Sequence, residues 1–292
     1  MKFALSISGG GLRGIVAARY AMEIEERNPG VHWDLIGGTS TGAIIALALG
    51  APVPMKAKDL LSWYLNEGPK IFRSFFGVAG QVFDSKYSAS PLYQSLQKVI
   101  GCHYMRLNST LVTCATVEAD HIRPVWLDNG SANWQAWEVA AASSSAETYF
   151  PAFKKDGSRY IDGGNFANCP ARHVAFTAKR LWPNEEVTLV HLGTGNEYDP
   201  QPAPDGGILA WARTLPTDMF ALQDFESQRD ADQLVKNYFP LDITMKRLPA
   251  MDDASAETLK GYVSAVEQLI KYRPDVWKDL SAALESNVLL SK

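Results

Sequence analysis

Twice within its first fifty residues, this chain breaks a short apolar run at glycines and passes at once into a helical pattern. "KFALSIS" (2–8) enters "GGGLRG" and then "GIVAARYAMEIEER" (14–27), where apolar residues recur at helical spacing until "NPG" stops them. "WDLIGGTS" (33–40) leads directly into "TGAIIALALG" (41–50). Strand–turn–helix units in succession place their strands side by side in one direction, so the expected class is α/β with a mostly parallel central sheet flanked by helices.

Later segments extend the pattern. "TLVTCATV" (110–117) and "IRPVWLDN" (122–129) read as strands, and "WQAWEVAAASSSAE" (134–147) as a helix with a small-residue end. "RYIDGGNFANCPA" (159–171) and "VTLVHLGTG" (187–195) are strands running into glycine turns. Residues 51 to about 107 differ in texture, with helices expected in "MKAKDLLSWYLNEGPKIFRSFFG" (55–77) and "SPLYQSLQKVIG" (90–101). "DPQPAPDGG" (199–207) reads as a surface loop, followed by helical "ALQDFESQRDADQLVKNYF" (221–239) and "ASAETLKGYVSAVEQLIKY" (254–272), with Ser255 as N-cap of the latter. We expect one domain over 1–292, with a helical insertion at about 55–107 and C-terminal helices at about 207–292.

The charge balance, 28 Lys and Arg against 32 Asp and Glu, gives no support to binding of a nucleic-acid polymer, which would want a basic face, although it says nothing of how the charges are distributed. Cys102, Cys114 and Cys169 show neither metal-ligand spacing nor a disulfide framework, which points to no metal and a reducing, cytoplasmic setting. Glycines interrupt the N-terminal apolar run too early for a signal peptide. The longest apolar stretch, "GAIIALALGAPVP" from Gly42, is too short to cross a bilayer, so no transmembrane segment is expected. Work at the periphery of a membrane is compatible with this.

The glycine-rich turn "SISGGGLRG" (6–14) fits G-x-G-x-x-G through Gly9, Gly11 and Gly14, the pattern of a dinucleotide site. The same backbone can instead offer N–H groups to an oxyanion formed during acyl transfer. The dinucleotide reading wants an acidic residue at the end of the second strand. Asp34 precedes that strand, and Ser40 occupies its end. Ser40 is the centre of Gly38-x-Ser40-x-Gly42, the nucleophile-elbow pattern, in which the flanking glycines permit a sharp turn and the following helix directs its dipole at the hydroxyl.

A serine nucleophile needs a base. His103, His121, His173 and His191 all follow Ser40, but His191 lies inside an apolar strand and His173 in a helix, so we read them as structural. Asp162 closes a strand before Gly163 and Gly164, and is the better candidate; its simpler reading is a turn aspartate at an Asp-Gly step. Two segments bear on substrate access, each with two readings. "KIFRSFFG" (70–77) suits an acyl–headgroup boundary or a core helix with snorkelling ends, and "GILAWARTLPTDMF" (207–220) a lid or a packed helix ending at Pro216.

"SISGGGLRG", "GGTSTG", "AASSSAETYFP" and "YIDGGNFANCP" resemble, in order and spacing, the motifs of patatin-like phospholipases. The resemblance implies a three-layer α/β/α fold and a serine esterase that hydrolyses fatty-acyl esters of lipids with a Ser–Asp dyad, without cofactor. It implies Ser40 as nucleophile, Asp162 as carboxylate, and Gly9, Gly10, Gly11 and Arg13 as the oxyanion-hole motif, Arg13 either steadying the loop or attracting a lipid phosphate. The substrate would be a phospholipid or another acyl-ester lipid at a membrane surface, with a small molecule or protein as a possible activator. The alternatives are an acyltransferase using the same acyl-enzyme and a non-catalytic storage or binding protein.

Overall fold

A strand covered on both faces must be apolar on both, and β1 (Lys2–Ile7) is buried from Phe3 onward. The computed structural model describes residues 1–71, 87–147, 149–197 and 208–289. In it β1 pairs in parallel with β2 (Leu35–Thr39) on one side and β7 (Val187–Leu192) on the other. β3 (Leu111–Glu118) continues the parallel set beyond β2, and β9 (Asn237–Leu241) beyond β7. β4 (Arg123–Asp128), β5 (Phe153–Lys155) and β6 (Ser158–Asp162) complete an eight-stranded sheet of order β5-β6-β3-β2-β1-β7-β9, with β4 paired antiparallel to β3.

Alternation along the strands divides the core into two layers. Phe3, Leu5 and Ile7 of β1 face a cluster formed with α1 (Gly14–Arg27), α2 (Thr41–Leu49), α3 (Ala57–Ile71), α4 (Ala89–Val99), α5 (Ala136–Ser143), α9 (Ala256–Tyr272) and α10 (Pro274–Leu289). Ala4, Leu35 and Leu189 face the opposite layer, α7 (Ala171–Leu181) and α8 (Ile208–Leu234). A single turn, α6 (Gly164–Ala167), follows β6, and β8 (Asn196–Glu197) and β10 (Thr244–Met245) form a small ribbon. The fold is thus α/β/α, with α3 and α4 in the region expected as a helical insertion.

Helix α2 is buried at all of its residues, which explains its uninterrupted apolar sequence. Ser255 caps α9 as expected, accepting the Thr258 N–H at 3.3 Å. The C-terminal third departs from the sequence reading in two places. The helix expected to end at Pro216 runs on as α8 to Leu234, the proline costing one backbone hydrogen bond within a 27-residue helix. Residues 237–239, expected as the tail of a helix, instead open the edge strand β9 (Asn237–Leu241), where Pro240 is tolerated because one side of the strand is unpaired. The loop expected at 199–207 lies outside the described residues.

Candidate active site

The turn between β2 and α2 holds Ser40 at φ 54° and ψ −121°, a conformation that costs an L-residue free energy and persists only where surroundings enforce it. The turn around it is closely packed. A Cβ on Gly42 would lie 2.1 Å from the Ile7 carbonyl oxygen, and one on Gly38 would lie 2.2 Å from that of Gly42. The two glycines let the α2 N-terminus sit directly against the end of β1.

Register brings Asp162 to the same place. β2 pairs with β3 only as far as Thr39 opposite Ala115, and at Thr116 the vacated edge of β3 is taken by β6, with Asp162 opposite. Ser40 and Asp162 therefore follow one another around a single β3 step. The Asp162 carboxylate lies near enough to the Ser40 side chain for the hydroxyl to lower its pKa, and its Oδ1 accepts a hydrogen bond from the Gly164 N–H at 2.7 Å. Asp162 is 7% exposed. Burial pushes its pKa up to about 7, the nearby Ser40 hydroxyl and the Gly164 hydrogen bond pull it back, and the negative charge of Glu147 pushes it further up. Gly163 is needed for close approach, since a Cβ there would meet the Ala115 carbonyl oxygen at 2.4 Å.

The N-terminal glycine loop lies across this pair, and a Cβ on Gly9 would come within 3.3 Å of the Ser40 Cβ. Gly9 is itself held, its N–H donating to the Asn168 carbonyl at 3.0 Å and its carbonyl accepting from Thr194 Oγ1 at 2.6 Å. Among the described residues no hydrogen bond engages the N–H groups of Gly10 and Gly11. Gly9 therefore contributes room, and Gly10 and Gly11 hold the free donors. Arg13 closes the loop by donating its N–H to the Gly10 carbonyl at 3.1 Å. Its side chain is buried, with Nε lacking a hydrogen-bond partner among the described residues. Burial lowers its pKa, while Tyr262, Asp242, Tyr149 and Glu197 oppose that. Asp242 follows the end of β9, two strands from β1 on the side away from Ser40.

The histidines are elsewhere. His191 is buried, with ring nitrogens 3.2 Å from Ser6 Oγ and 3.4 Å from Ser8 Oγ, and burial lowers its pKa to about 4. His173 stacks on Trp126 at 3.5 Å between ring centroids, and burial likewise lowers its pKa to about 4. His121 lies beside Glu118 at 3.0 Å and His103 beside Asn108 at 2.7 Å. Asp34 binds Lys2 Nζ at 3.0 Å and the Phe3 N–H at 2.9 Å, at the end of β1 opposite the glycine loop. Among the described residues no group of three or more His, Cys, Asp and Glu is arranged to hold a metal ion, and no helix is long and apolar enough to cross a membrane. Lys70 of "KIFRSFFG" pairs with Glu67 at 2.6 Å, and residues 72–77 lie outside the described residues, as do Gly207 and the side chains of 208–217 in "GILAWARTLPTDMF". Sequence reasoning had no signal for Asn168 and Thr194 as clamps on Gly9, because both act through long-range contacts.

The chain matches the family model described as patatin-like phospholipase over residues 5–175, a span that includes the glycine loop, Ser40 and Asp162. Patatin-2-Kuras 1 of Solanum tuberosum is 24% identical over 332 residues, covering 93% of this chain and 87% of that protein. Patatin-like protein 4 of Arabidopsis thaliana is 26% identical over 330 residues, covering 91% and 82%. Among solved structures, VipD from Legionella pneumophila superimposes with a TM-score of 0.43 at 11% identity, covering 93% of this chain and 67% of that one.

Proposed function

This chain belongs to the patatin-like phospholipase family, and from that premise we propose that it is a serine lipid acyl hydrolase working through Ser40 and Asp162. The observation that carries the reading is the juxtaposition of Ser40, on its strained turn at the end of β2, with a buried carboxylate at the end of β6 whose pKa is raised to about 7. An aspartate at its ordinary acidity is a poor base; one raised to about 7 is matched to accepting a proton at physiological pH.

Ser40 Oγ attacks the carbonyl carbon of a fatty-acyl ester while its proton passes to Asp162. The carbonyl oxygen becomes an oxyanion, met by the Gly10 and Gly11 N–H groups, a kind of contact worth roughly 3 kcal/mol per donor. The tetrahedral intermediate collapses, the C–O bond to the alcohol breaks, and the proton on Asp162 goes to the departing alkoxide. Water then attacks the acyl-enzyme, gives its proton to Asp162, and releases the fatty acid as Ser40 regains a proton.

Hydrolysis of a p-nitrophenyl acyl ester and of phospholipid vesicles by the wild type, Ser40→Ala and Asp162→Ala tests this. The wild type is expected to release nitrophenol and fatty acid, and both variants to lose the activity. Full activity in the Asp162→Ala protein would remove the dyad from the account.

A further inference from the structure

Of the motifs that single out this chain, "AASSSAETYFP" (141–151) has no task in the mechanism above. Its three serines stand where α5 ends, with the nucleophile elbow on one side and the end of β6 on the other. Resting on the Ser40–Asp162 reading, we propose that Ser143 is a positioning residue: its hydroxyl pins the backbone of the elbow so that the Ser40 hydroxyl meets the Asp162 carboxylate.

The Ser143 side chain is fully buried. Its Oγ accepts the Ser40 N–H at 2.9 Å and donates to the Ala115 carbonyl at 2.6 Å. The direction of both bonds is settled by chemistry, because a backbone N–H only donates and a carbonyl only accepts. One hydroxyl thus joins the nucleophile's own backbone nitrogen to the last β3 residue that pairs with β2. The N–H it holds belongs to the residue with positive φ, whose conformation has to be imposed from outside.

The same segment grips the carboxylate by its main chain. The Ser145 carbonyl accepts the Asp162 N–H at 3.0 Å, and the Ser143 carbonyl accepts the Gly163 N–H at 3.3 Å. Thr116 Oγ1 lies 3.2 Å from the Ala142 carbonyl and 2.9 Å from that of Ile161, tying the strut to β3 and β6. Both halves of the dyad therefore hang from the end of α5, Asp162 by backbone and Ser40 by a single side-chain atom. Only the second link can be cut by a substitution.

Ser144 supplies an internal control. It is buried too, yet its Oγ has no hydrogen-bond partner among the described residues. Two serines adjacent in sequence and alike in burial thus differ in the one feature that matters here.

The test is steady-state hydrolysis of a p-nitrophenyl acyl ester by the full chain across pH 5 to 9, comparing wild type, Ser40→Ala, Ser143→Ala, Ser143→Cys and Ser144→Ala, with melting temperatures recorded for each. Misplacing a reacting group by about 1 Å costs on the order of 100-fold, so Ser143→Ala is expected to lose roughly 10- to 100-fold in kcat with KM within about twofold. Its acid limb should move to higher pH, because a Ser40 hydroxyl displaced from Asp162 no longer draws the carboxylate's pKa down, while Glu147 still pushes it up. Ser143→Cys should fall between, and Ser144→Ala should match the wild type.

Wild-type kcat and acid limb in Ser143→Ala would overturn the proposal. So would a loss in Ser144→Ala as large as that in Ser143→Ala, which would reduce the effect to packing. If Ser143→Ala does not accumulate folded, Ser143→Cys against Ser144→Ala decides by the same criteria. Ser40-dependent hydrolysis that survives intact in the Ser143 variants sinks this proposal alone; a wild type without Ser40-dependent hydrolysis overturns the dyad and this proposal with it.

Discussion

A carboxylate kept for chemistry should destabilise the protein that carries it, and Asp162→Asn tests this. In the folded chain the Asp162 pKa rises from 3.8 to about 7, a gap that corresponds to about 4 kcal/mol at full development. Below the unfolded value both states hold the proton and the group is neutral to stability. As pH rises from about 4 the unfolded chain ionises first, so the folded state loses ground until about pH 7 and stays disadvantaged above it. Asparagine cannot ionise, and its carbonyl oxygen can still accept the Gly164 N–H that Asp162 accepts at 2.7 Å. The variant should therefore be more stable than the wild type at pH 8 by roughly 2 to 4 kcal/mol, with the advantage fading towards pH 4. Asp224 and Asp242, raised by burial to about 6 and about 7, add pH dependence of the same sign to both proteins and cancel in the comparison. Urea unfolding of both proteins at pH 4, 6 and 8 measures the difference, with equal m-values as the condition for comparing midpoints. Ester hydrolysis by the variant should fall by roughly 100- to 10,000-fold. An Asn variant no more stable than wild type at pH 8, or an advantage that does not shrink on acidification, would refute the reasoning.

Gly42→Ala places a methyl group 2.1 Å from the Ile7 carbonyl oxygen, so the α2 N-terminus must move off β1; activity and the cooperative thermal transition should fall together, as measured by hydrolysis and calorimetry. His191→Ala leaves the buried Ser6 and Ser8 hydroxyls without their ring partner, at a cost of roughly 1 to 3 kcal/mol. Hydrolysis should nonetheless survive in the fraction that remains folded, and its loss there would restore a histidine to the mechanism.

The parts of the fold legible in the sequence were the local ones. Both strand–turn–helix units announce themselves because glycine spacing and apolar periodicity are properties of neighbouring residues, and α1 occupies the span 14–27 that its pattern marks. The tail of the sequence misled for the opposite reason. "NYFPL" carries an aromatic-rich pattern that suits a helix end or an edge strand equally, and only its docking on β7 makes it β9. Pro216 reads as a stop by local rules, yet packing on α7 carries α8 through to Leu234. Within the site, Ser40 was visible from its flanking glycines. Its partnership with Asp162 was implied by the resemblance to patatin-like phospholipases and not by any local pattern, because it depends on β6 taking over the edge of β3 at Thr116, a register match between segments far apart in the chain. The same limit hid Ser143, whose role is carried by two bonds to residues 40 and 115.

The central claim, that Ser40 is the nucleophile, is tested most directly by intact-protein and peptide mass spectrometry after treatment with a fluorophosphonate ester. The account predicts one phosphonyl adduct per chain, mapped to the peptide that contains residue 40, slowed in Asp162→Asn and absent from Ser40→Ala. An adduct of equal yield in Ser40→Ala, or one mapped to another residue, would contradict it.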